Sequence, residues 1–281
     1  MLMPIVVVVL VLVALLGAGA LAAQWWNAES NRTMARLTRA MPRAAARTLQ
    51  PGDLDALPRP VARYLRERLP PNQRLIRRAQ IWTRGEFLIR PGPSGWRRFR
   101  AKQLFTWQPA GYVWDARIRM LPGLDIFVRD ALVAGEGSIR AAVAGLVPLV
   151  SSRGSPGLAA GASHRFLAEA LWFPTALVLN PILRWVPIDD DKARVTLEQG
   201  ATTVALEYRF GPDGLPVSVF APDRFREQGG RGVPTPWQVR FLRHEIRGGM
   251  MIPVSAVVEW LLPSGPLAYW RGTVGEVRYE F

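Results

Sequence analysis

Alternation of apolar and polar residues fills most of the chain after Leu75 and restricts its fold more than any other feature. Residues 202–210 show it most clearly, because Val204, Leu206 and Tyr208 alternate with small or polar neighbours. Similar runs occupy 81–89, 98–105, 112–120, 192–198, 215–221, 236–246, 251–262 and 267–281, with weaker ones at 124–133 and 137–147.

Side chains that alternate with period two point to opposite faces of a strand, so each run has one apolar face. Turn residues such as Pro212-Asp213-Gly214 separate the runs, and the connections are short. The pattern therefore predicts a mainly β (α+β) fold, with an antiparallel sheet of about ten strands buried on one face. We assign this β domain to residues 71–281.

The middle of the chain departs from this period. In a segment at about 163–174, Phe166, Leu167 and Leu171 fall on one stripe of a short helix that Pro174 limits. A helix inserted between two halves of a sheet must bury its stripe against that sheet. We therefore expect a strongly curved sheet or incomplete barrel with this helix as a central lid.

The chain begins with 23 residues that carry no charged side chain. Such a length spans a bilayer at ~1.5 Å per residue, and Trp25 and Trp26 follow where indoles favour the interface. The sequence predicts a transmembrane anchor over 1–24 and a single-pass protein of the cell membrane. A cleaved signal peptide is the alternative, since Ala20-Leu21-Ala22 resembles a cleavage site, but no Lys or Arg precedes the apolar run.

Nearly all of the net charge of +14 lies within residues 24–104. Residues 25–70 are predicted to be a basic, helical juxtamembrane segment, with a helix from Asp53 to about Leu69 that Pro70 ends. Anionic headgroups are the expected partner of its arginines, namely Arg32, Arg36, Arg39 and Arg43. The positive-inside rule and the signal-like alanines point to opposite sides of the membrane, so the side stays open.

Several functional classes lack their sequence signatures. The chain has no cysteine and two histidines, which excludes thiol nucleophiles and a His-rich zinc site within one chain. Nucleotide-binding and hydrolase motifs are missing, and so is any nucleic-acid recognition motif. We expect no cofactor, no metal, no catalytic residue and no nucleic-acid partner. Whether the protein is an enzyme stays open, with a non-enzymatic role favoured.

Two polar residues are candidates for a binding site. Gln103 shares the predicted inward face of its strand, and a buried amide needs a hydrogen-bond partner, from the backbone or from a ligand. Glu169 is either a surface pair with Arg165, four residues earlier, or a carboxylate at the mouth of an apolar pocket beside Trp172, with a raised pKa.

Three aromatic residues and one arginine complete the candidates. Trp114, Trp172 and Phe173 would supply apolar contact, although packing in the core is the ordinary role of such side chains. Arg224 follows Asp223 in an extended segment and belongs either to a surface ion pair or to a site for an anionic headgroup.

Several segments of the chain have a familiar sequence: LPRPVARYL at 57–65, GYVWDARI at 111–118, LAEALWFPTAL at 167–177, RWVPIDDDKA at 184–193 and AYWRGTVGEVRYEF at 268–281. In this order they resemble a bacterial family of single-pass membrane-anchored proteins of unknown function. The order of elements is also similar to that of the periplasmic lipoprotein-carrier proteins. That similarity implies an incomplete antiparallel barrel with a helical lid over an apolar cavity.

Three functions follow as hypotheses. The first is a membrane-anchored, non-enzymatic binding module for a lipid or another hydrophobic molecule. The second is a hydrolase-like enzyme that uses Glu169 with an Asp of 189–191, which requires the carboxylates to meet across a cleft. The third is a structural or interaction protein that docks a partner through a sheet edge.

Overall fold

The structure is a computed structural model that describes residues 2–42, 47–229 and 231–281; the side chains at 2, 8, 9 and 11–16 are outside this description. Within these ranges there are three α-helices: α1 (Leu2–Arg39), α2 (Arg59–Arg68) and α3 (Pro156–Glu169). The strands are β1 (Arg78–Leu88), β2 (Trp96–Trp107), β3 (Ala110–Leu121), β4 (Leu124–Val133), β5 (Glu136–Val143), β6 (Val147–Arg153), β7 (Leu183–Pro187), β8 (Lys192–Gln199), β9 (Thr202–Phe210), β10 (Pro216–Gln228), β11 (Arg231–Arg247), β12 (Met250–Leu262) and β13 (Gly265–Glu280).

All thirteen strands form one sheet in the order β6-β5-β4-β3-β2-β1-β13-β12-β11-β10-β9-β8-β7. Neighbouring strands are antiparallel, so the alternation in the sequence indicated the pairing correctly. The chain enters in the middle at β1, proceeds to the edge strand β6, crosses to the opposite edge strand β7, and returns to β13 beside β1. The crossing contains α3, which therefore lies between the two halves of the curled sheet.

The predicted number of about ten strands was too low, because the two edge strands were missed. Every residue of β6 is exposed, so its side chains show no apolar and polar alternation. In β7 most residues are exposed as well, and Pro187 ends it after five residues. Edge strands pair on one side only and lose the burial pattern that identifies inner strands.

The central helix begins at Pro156, earlier than the predicted start at about residue 163. Ser155 caps it, since its hydroxyl accepts a hydrogen bond of 3.2 Å from the backbone N–H of Leu158. Proline at the first helical position is a regular start signal. The first turns contain Gly157 and small alanines, which form no apolar stripe. After Glu169 the chain continues in 3₁₀ turns, Ala170–Trp172 and Pro174–Leu177.

The main core fills the concave side of the sheet. The inner faces of the strands pack there against α2, α3 and the 3₁₀ turns, with side chains of less than 2% exposure that include Tyr64, Phe105, Tyr112, Phe166 and Tyr208. The hydroxyl of Tyr208 donates to the backbone carbonyl of Leu167 at 2.5 Å, which ties α3 to β9.

Helix α1 packs on the outer, convex face of the same sheet. Met34 and Leu37 form a separate apolar cluster with Leu104, Val113 and Ala131 of β2, β3 and β4. Nearer the start of the helix, the indole N–H of Trp26 donates to Asp115 at 3.3 Å. The first part of the helical segment predicted over 25–70 is therefore the second half of α1, which ends at Arg39. Arg43 lies outside the described residues.

The helix predicted to cross a membrane is not confirmed. Judged on the residues described, none of the helices has the length and the apolar character that a crossing requires. Met1 and several side chains of the segment 1–24 lie outside those residues.

Candidate ligand-binding cavity

An apolar cavity of about 480 Å³ lies between the concave face of the sheet and α3. This volume falls within the ~300–1,000 Å³ typical of small-molecule sites. Its walls come from β1, β3 to β6 and β10 to β13, and they include Ile126, Val128, Val239, Phe241, Trp260 and Trp270. Four charged side chains, those of Asp130, Arg165, Glu169 and Arg224, also reach it.

A larger hollow of about 650 Å³ lies beside α2 and the turn after β9. Its wall contains the ion pair of Arg59 and Asp190, whose side chains are 84% and 94% exposed. This hollow is a solvated surface groove, and none of the residues predicted to bind ligand lies in it.

The structure brings four of the predicted site residues to the apolar cavity: Trp114, Glu169, Trp172 and Arg224. Gln103 lies just behind the wall, where its side-chain Nε2 donates to Oε2 of Glu169 at 2.7 Å. Phe173 does not line the cavity. It is 1% exposed and packs in the core, with its ring centroid 4.8 Å from that of Phe105.

Arg165 is held between two carboxylates on one side of the cavity. Its Nη1 lies 2.8 Å from Oδ2 of Asp130, and its Nε lies 2.9 Å from Oε1 of Glu169. The guanidinium carbon also sits 4.7 Å from the ring centroid of Trp114. The three side chains are between 16% and 24% exposed, so they lie in a poorly solvated place. The guanidinium balances one of the two carboxylate charges, and the cluster keeps one net negative charge when both acids are ionised.

Burial changes the acid–base behaviour of this cluster. It raises the pKa of Glu169, and the positive charge of Arg165 and the hydrogen bond from Gln103 oppose that rise only in part. Burial and the charge of Asp130 raise the pKa of Tyr112 well above its ordinary value. Tyr112 therefore keeps its proton and donates to Oδ1 of Asp130 at 3.1 Å.

Arg224 lies at a different part of the wall. Its Nη2 donates to the carbonyl of Gly161 in α3 at 3.2 Å, and its Nη1 donates to the hydroxyl of Tyr269 at 3.3 Å. The guanidinium carbon is 4.6 Å from the ring centroid of Trp237 and 5.2 Å from that of Trp260. Among the described residues, no carboxylate forms an ion pair with it.

The sequence did not predict a role for Asp130, which is the second partner of Arg165. The signal was present, because Asp130 falls between Val128 and Leu132 on the inward side of a run with period two. A carboxylate at such a position needs a partner for the same reason as Gln103. The weakness of the alternation in 124–133 hid it.

The structure does not bring the three consecutive aspartates to Glu169. Asp189, Asp190 and Asp191 lie outside the apolar cavity, and they pair instead with Lys192, Arg59 and Arg209, respectively. The two-carboxylate arrangement that a hydrolase of the predicted kind needs is therefore not formed by these residues.

The protein is therefore an open, curled antiparallel sheet that carries a helix across its concave side, with an apolar cavity between the sheet and the helix. The chain belongs to the family of unknown function DUF6544, whose model matches residues 47–272. No curated protein matches it in sequence.

Three solved structures are similar to the chain. A LolA superfamily protein from Nitrosomonas europaea has a TM-score of 0.45 and 13% identity, over 79% of this chain and 92% of that one. A DUF1329 family protein from Desulfovibrio piger has a TM-score of 0.40 and 13% identity, over 73% and 86%. An outer membrane lipoprotein-sorting protein domain from Vibrio parahaemolyticus has a TM-score of 0.40 and 9% identity, over 72% and 85%. The expected resemblance to lipoprotein carriers is thus found, and at these scores it assigns no ligand to this chain.

Proposed function

We propose that this protein binds a hydrophobic small molecule or the chain of a lipid in the cavity beneath α3. The observation that carries the proposal is an apolar, aromatic-lined space of about 480 Å³ inside the curled sheet. A concave space of this size with an apolar and aromatic lining has the character of a small-molecule site.

The charged groups at the cavity support binding of a molecule with both an apolar and a polar part. Trp114 and Trp172 offer large apolar surfaces, and Glu169 and Arg224 reach the same space from separate parts of the wall. Pockets for small ligands commonly combine an apolar lining with a few polar groups that fix orientation. The polar groups here are held by Gln103, Gly161 and Tyr269, so they are positioned before a ligand arrives.

Photolabelling of the full chain in phosphatidylcholine nanodiscs tests the proposal. The probe is a neutral hexadecanol with a diazirine near the end of its chain, and mass spectrometry of peptides locates the label. We expect label on cavity residues such as Ile126, Val128 and Val239. An excess of unlabelled hexadecanol should remove it. Label confined to α1 and exposed loops would contradict a binding cavity.

We also propose that the protein works at a membrane surface, held by its apolar start. Residues 1–23 carry no charge, and the turn after β5 presents exposed apolar side chains at the same end of the molecule. Gly145, in the turn after β5, lies close to the backbone of Ala22, and the neighbouring Leu146 and Val147 are more than half exposed. Leu149 is 52% exposed and also lines the cavity, so the cavity reaches this end.

This geometry favours the apolar turn after β5, rather than the arginines of α1, as the part of the protein that contacts the membrane. Helix α1 continues unbroken along the sheet, which puts Arg32 ~14 Å and Arg39 ~24 Å beyond Ala23 along its axis. Both distances exceed the Debye length of ~8–10 Å, so salt largely screens the attraction between these arginines and anionic headgroups.

Fractionation of cells that express the full chain tests membrane attachment. We expect the protein in the pellet after extraction with alkaline carbonate, and in the supernatant when residues 1–23 are deleted. Release of the intact chain by carbonate would argue against attachment through this segment. Reporter fusions at the C-terminus then decide which side of the membrane the β domain occupies.

A further inference from the structure

We infer that the cavity selects an amphiphile with an anionic headgroup, a carboxylate or a phosphate, which Arg224 and Tyr269 bind. This inference rests on the proposed function and specifies its ligand. It is carried by the distribution of hydrogen-bond donors and charges around the cavity.

The two arginines at the cavity differ in how their charge is compensated. Arg165 contacts both Asp130 and Glu169 within 2.9 Å, so both carboxylates of the wall are committed to it. Arg224 has no carboxylate within 4 Å among the described residues, and its only bonded acceptors there are a carbonyl and a hydroxyl. Its positive charge therefore has no carboxylate in direct contact among the described residues.

The groups around Arg224 supply more donors than acceptors. The hydroxyl oxygen of Tyr269 accepts from Nη1 of Arg224 and from the indole N–H of Trp237 at 2.8 Å. Its own hydrogen therefore points away from both, and the described residues offer it no acceptor. Nε of Arg224 is buried and also without a hydrogen-bond partner. Two unused donors beside one unpaired cation fit an anion.

The surroundings strengthen such a contact. Trp237 and Trp260 are paired on neighbouring strands, and both rings lie against the guanidinium, which limits its access to water. A cation and an anion attract more strongly where water is excluded. A cationic headgroup beside Trp237 and Trp260 would instead be repelled by Arg224, and among the described residues no carboxylate contacts Arg224 to offset that repulsion.

Three diazirine probes with the same sixteen-carbon chain test the inference on the full chain in phosphatidylcholine nanodiscs. They carry a carboxylate, a hydroxyl and an ammonium group. We expect half-maximal labelling of cavity peptides at a concentration at least tenfold lower for the carboxylate than for the hydroxyl, with the ammonium weakest. In Arg224→Gln the carboxylate and the hydroxyl should label equally, and Arg224→Lys should keep most of the preference.

Arg226→Gln is the matched control, because Arg226 lies on the same strand and also near Trp260 but does not line the cavity. It should retain the full preference for the carboxylate. Unlabelled palmitate and unlabelled hexadecyl phosphate, added as competitors, distinguish the two sources of the anion. Competition by either one that is lost in Arg224→Gln supports the inference.

The failures are distinguishable. Equal labelling by all three probes in the natural protein, or a preference for the ammonium probe, overturns the anionic ligand and leaves hydrophobic binding in place. Absence of cavity labelling by every probe overturns both proposals. The comparison of headgroups in the unmodified chain does not depend on any variant folding, so it remains decisive if Arg224→Gln fails to accumulate.

Discussion

Single residues on the concave face combine burial with charge, and Glu169 is the clearest case. Its carboxylate is 16% exposed and receives hydrogen bonds from Gln103 at 2.7 Å and from Arg165 at 2.9 Å. Burial raises its pKa even so, which means that desolvation costs the ionised form more than its partners return. The carboxylate is therefore sensitive to the loss of any one partner.

Replacing Gln103 with Leu should destabilise the protein at pH 7 by ~1–3 kcal/mol, since the ionised Glu169 loses a donor. The pKa of Glu169 should rise further. Because the pKa of Glu169 is raised in the folded state, the loss of stability is complete above the folded pKa. It disappears below the pKa that Glu169 has in the unfolded chain. The effect should therefore shrink between pH 7 and pH 4, as measured by urea denaturation.

The background variant Glu169→Gln provides the control, because it has no ionisable group at this position. There the effect of Gln103→Leu should be the same at both pH values. An unchanged pH dependence in that background would show that another group is responsible.

The contribution of His164 to the free energy of unfolding changes with pH in the opposite direction from that of Glu169. It is 3% exposed, and burial together with the charge of Arg224 lowers its pKa from 6.5 to about 4, while Asp223 opposes the change. Because the unfolded chain takes up the proton first, stability that is present above pH 6.5 is lost as the pH falls towards 4, by about 3 kcal/mol.

In His164→Leu this loss should be absent. Urea denaturation at pH 7 and pH 4.5 measures it, with His244→Leu as the comparison, whose histidine is less buried and has a pKa lowered by burial. A natural protein and a His164→Leu variant with the same acid sensitivity would contradict the assignment.

At this scale the sequence predicted some partners and missed others. The position of Gln103 in the alternation of its strand correctly indicated that its amide faces inward. Its hydrogen-bond partner is Glu169 of α3 rather than the backbone. Arg224 was placed between two interpretations, because parity alone does not reveal whether an extended segment curves towards the cavity. Phe173 was predicted to supply apolar contact to the ligand together with Trp172, but the 3₁₀ turns place Trp172 at the cavity and Phe173 in the core.

Among the elements, α1 has a role that its composition does not reveal. Its second half packs on the convex face through Met34 and Leu37, in a cluster separate from the main core. The basic composition of this half indicated a membrane partner, while its few apolar residues in fact face the sheet. The position of Trp26, fully buried against β3 and β4, follows the same pattern.

The separation of the two clusters predicts that α1 can be loosened without unfolding the sheet. Leu37 is fully buried, so Leu37→Ala should remove ~2–5 kcal/mol from the docking of the helix. Hydrogen exchange should increase in residues 26–39 and stay unchanged in β8 and β9. The exposed Asn31→Ala on the same helix is the control and should change neither. Equal acceleration in α1 and in β9 would mean that the helix and the sheet unfold together.

The elements that the sequence predicted well are those with one buried face. Strands β8 and β9 match their alternation almost to the residue, because the inner positions are apolar and the outer ones, apart from Ala205, are polar. The start of α3 was missed for the converse reason. Its first turn packs through its backbone against Gly137 and through Gly157 against Phe225, so it shows no apolar stripe, and the cap formed by Ser155 and Pro156 was the remaining signal.

For the whole molecule, the decisive event is the pairing of β1 with β13 in the middle of the sheet. It joins two meanders that are far apart in sequence and lets the sheet curl around α3. Residues from β4, α3, β10 and β13 then meet at one cavity. Alternation indicates that strands have an inner face, but it does not contain the curvature that decides which inner faces meet. The candidate site was therefore predictable residue by residue and not as an assembly.

The last prediction concerns the volume of the cavity. A large side chain that fills it should weaken ligand binding without lowering the stability of the fold. Ala256 lies on the inner face of β12 at the cavity wall and is 6% exposed. A phenylalanine there should extend into the empty space, whereas in a packed core the same change costs ~1–3 kcal/mol. We expect Ala256→Phe to weaken labelling by the hexadecanol probe at least tenfold, with a thermal midpoint close to that of the natural protein.

The matched control is Ala205→Phe, because Ala205 alternates with inward residues of β9 and lies on the opposite face. It should leave probe binding unchanged. A large fall in the thermal midpoint of Ala256→Phe would show that the space is closed by its own side chains in solution. Full labelling in a stable Ala256→Phe would place the bound chain elsewhere. The cavity is a binding site only if volume can be removed from it at the expense of the ligand rather than of the fold.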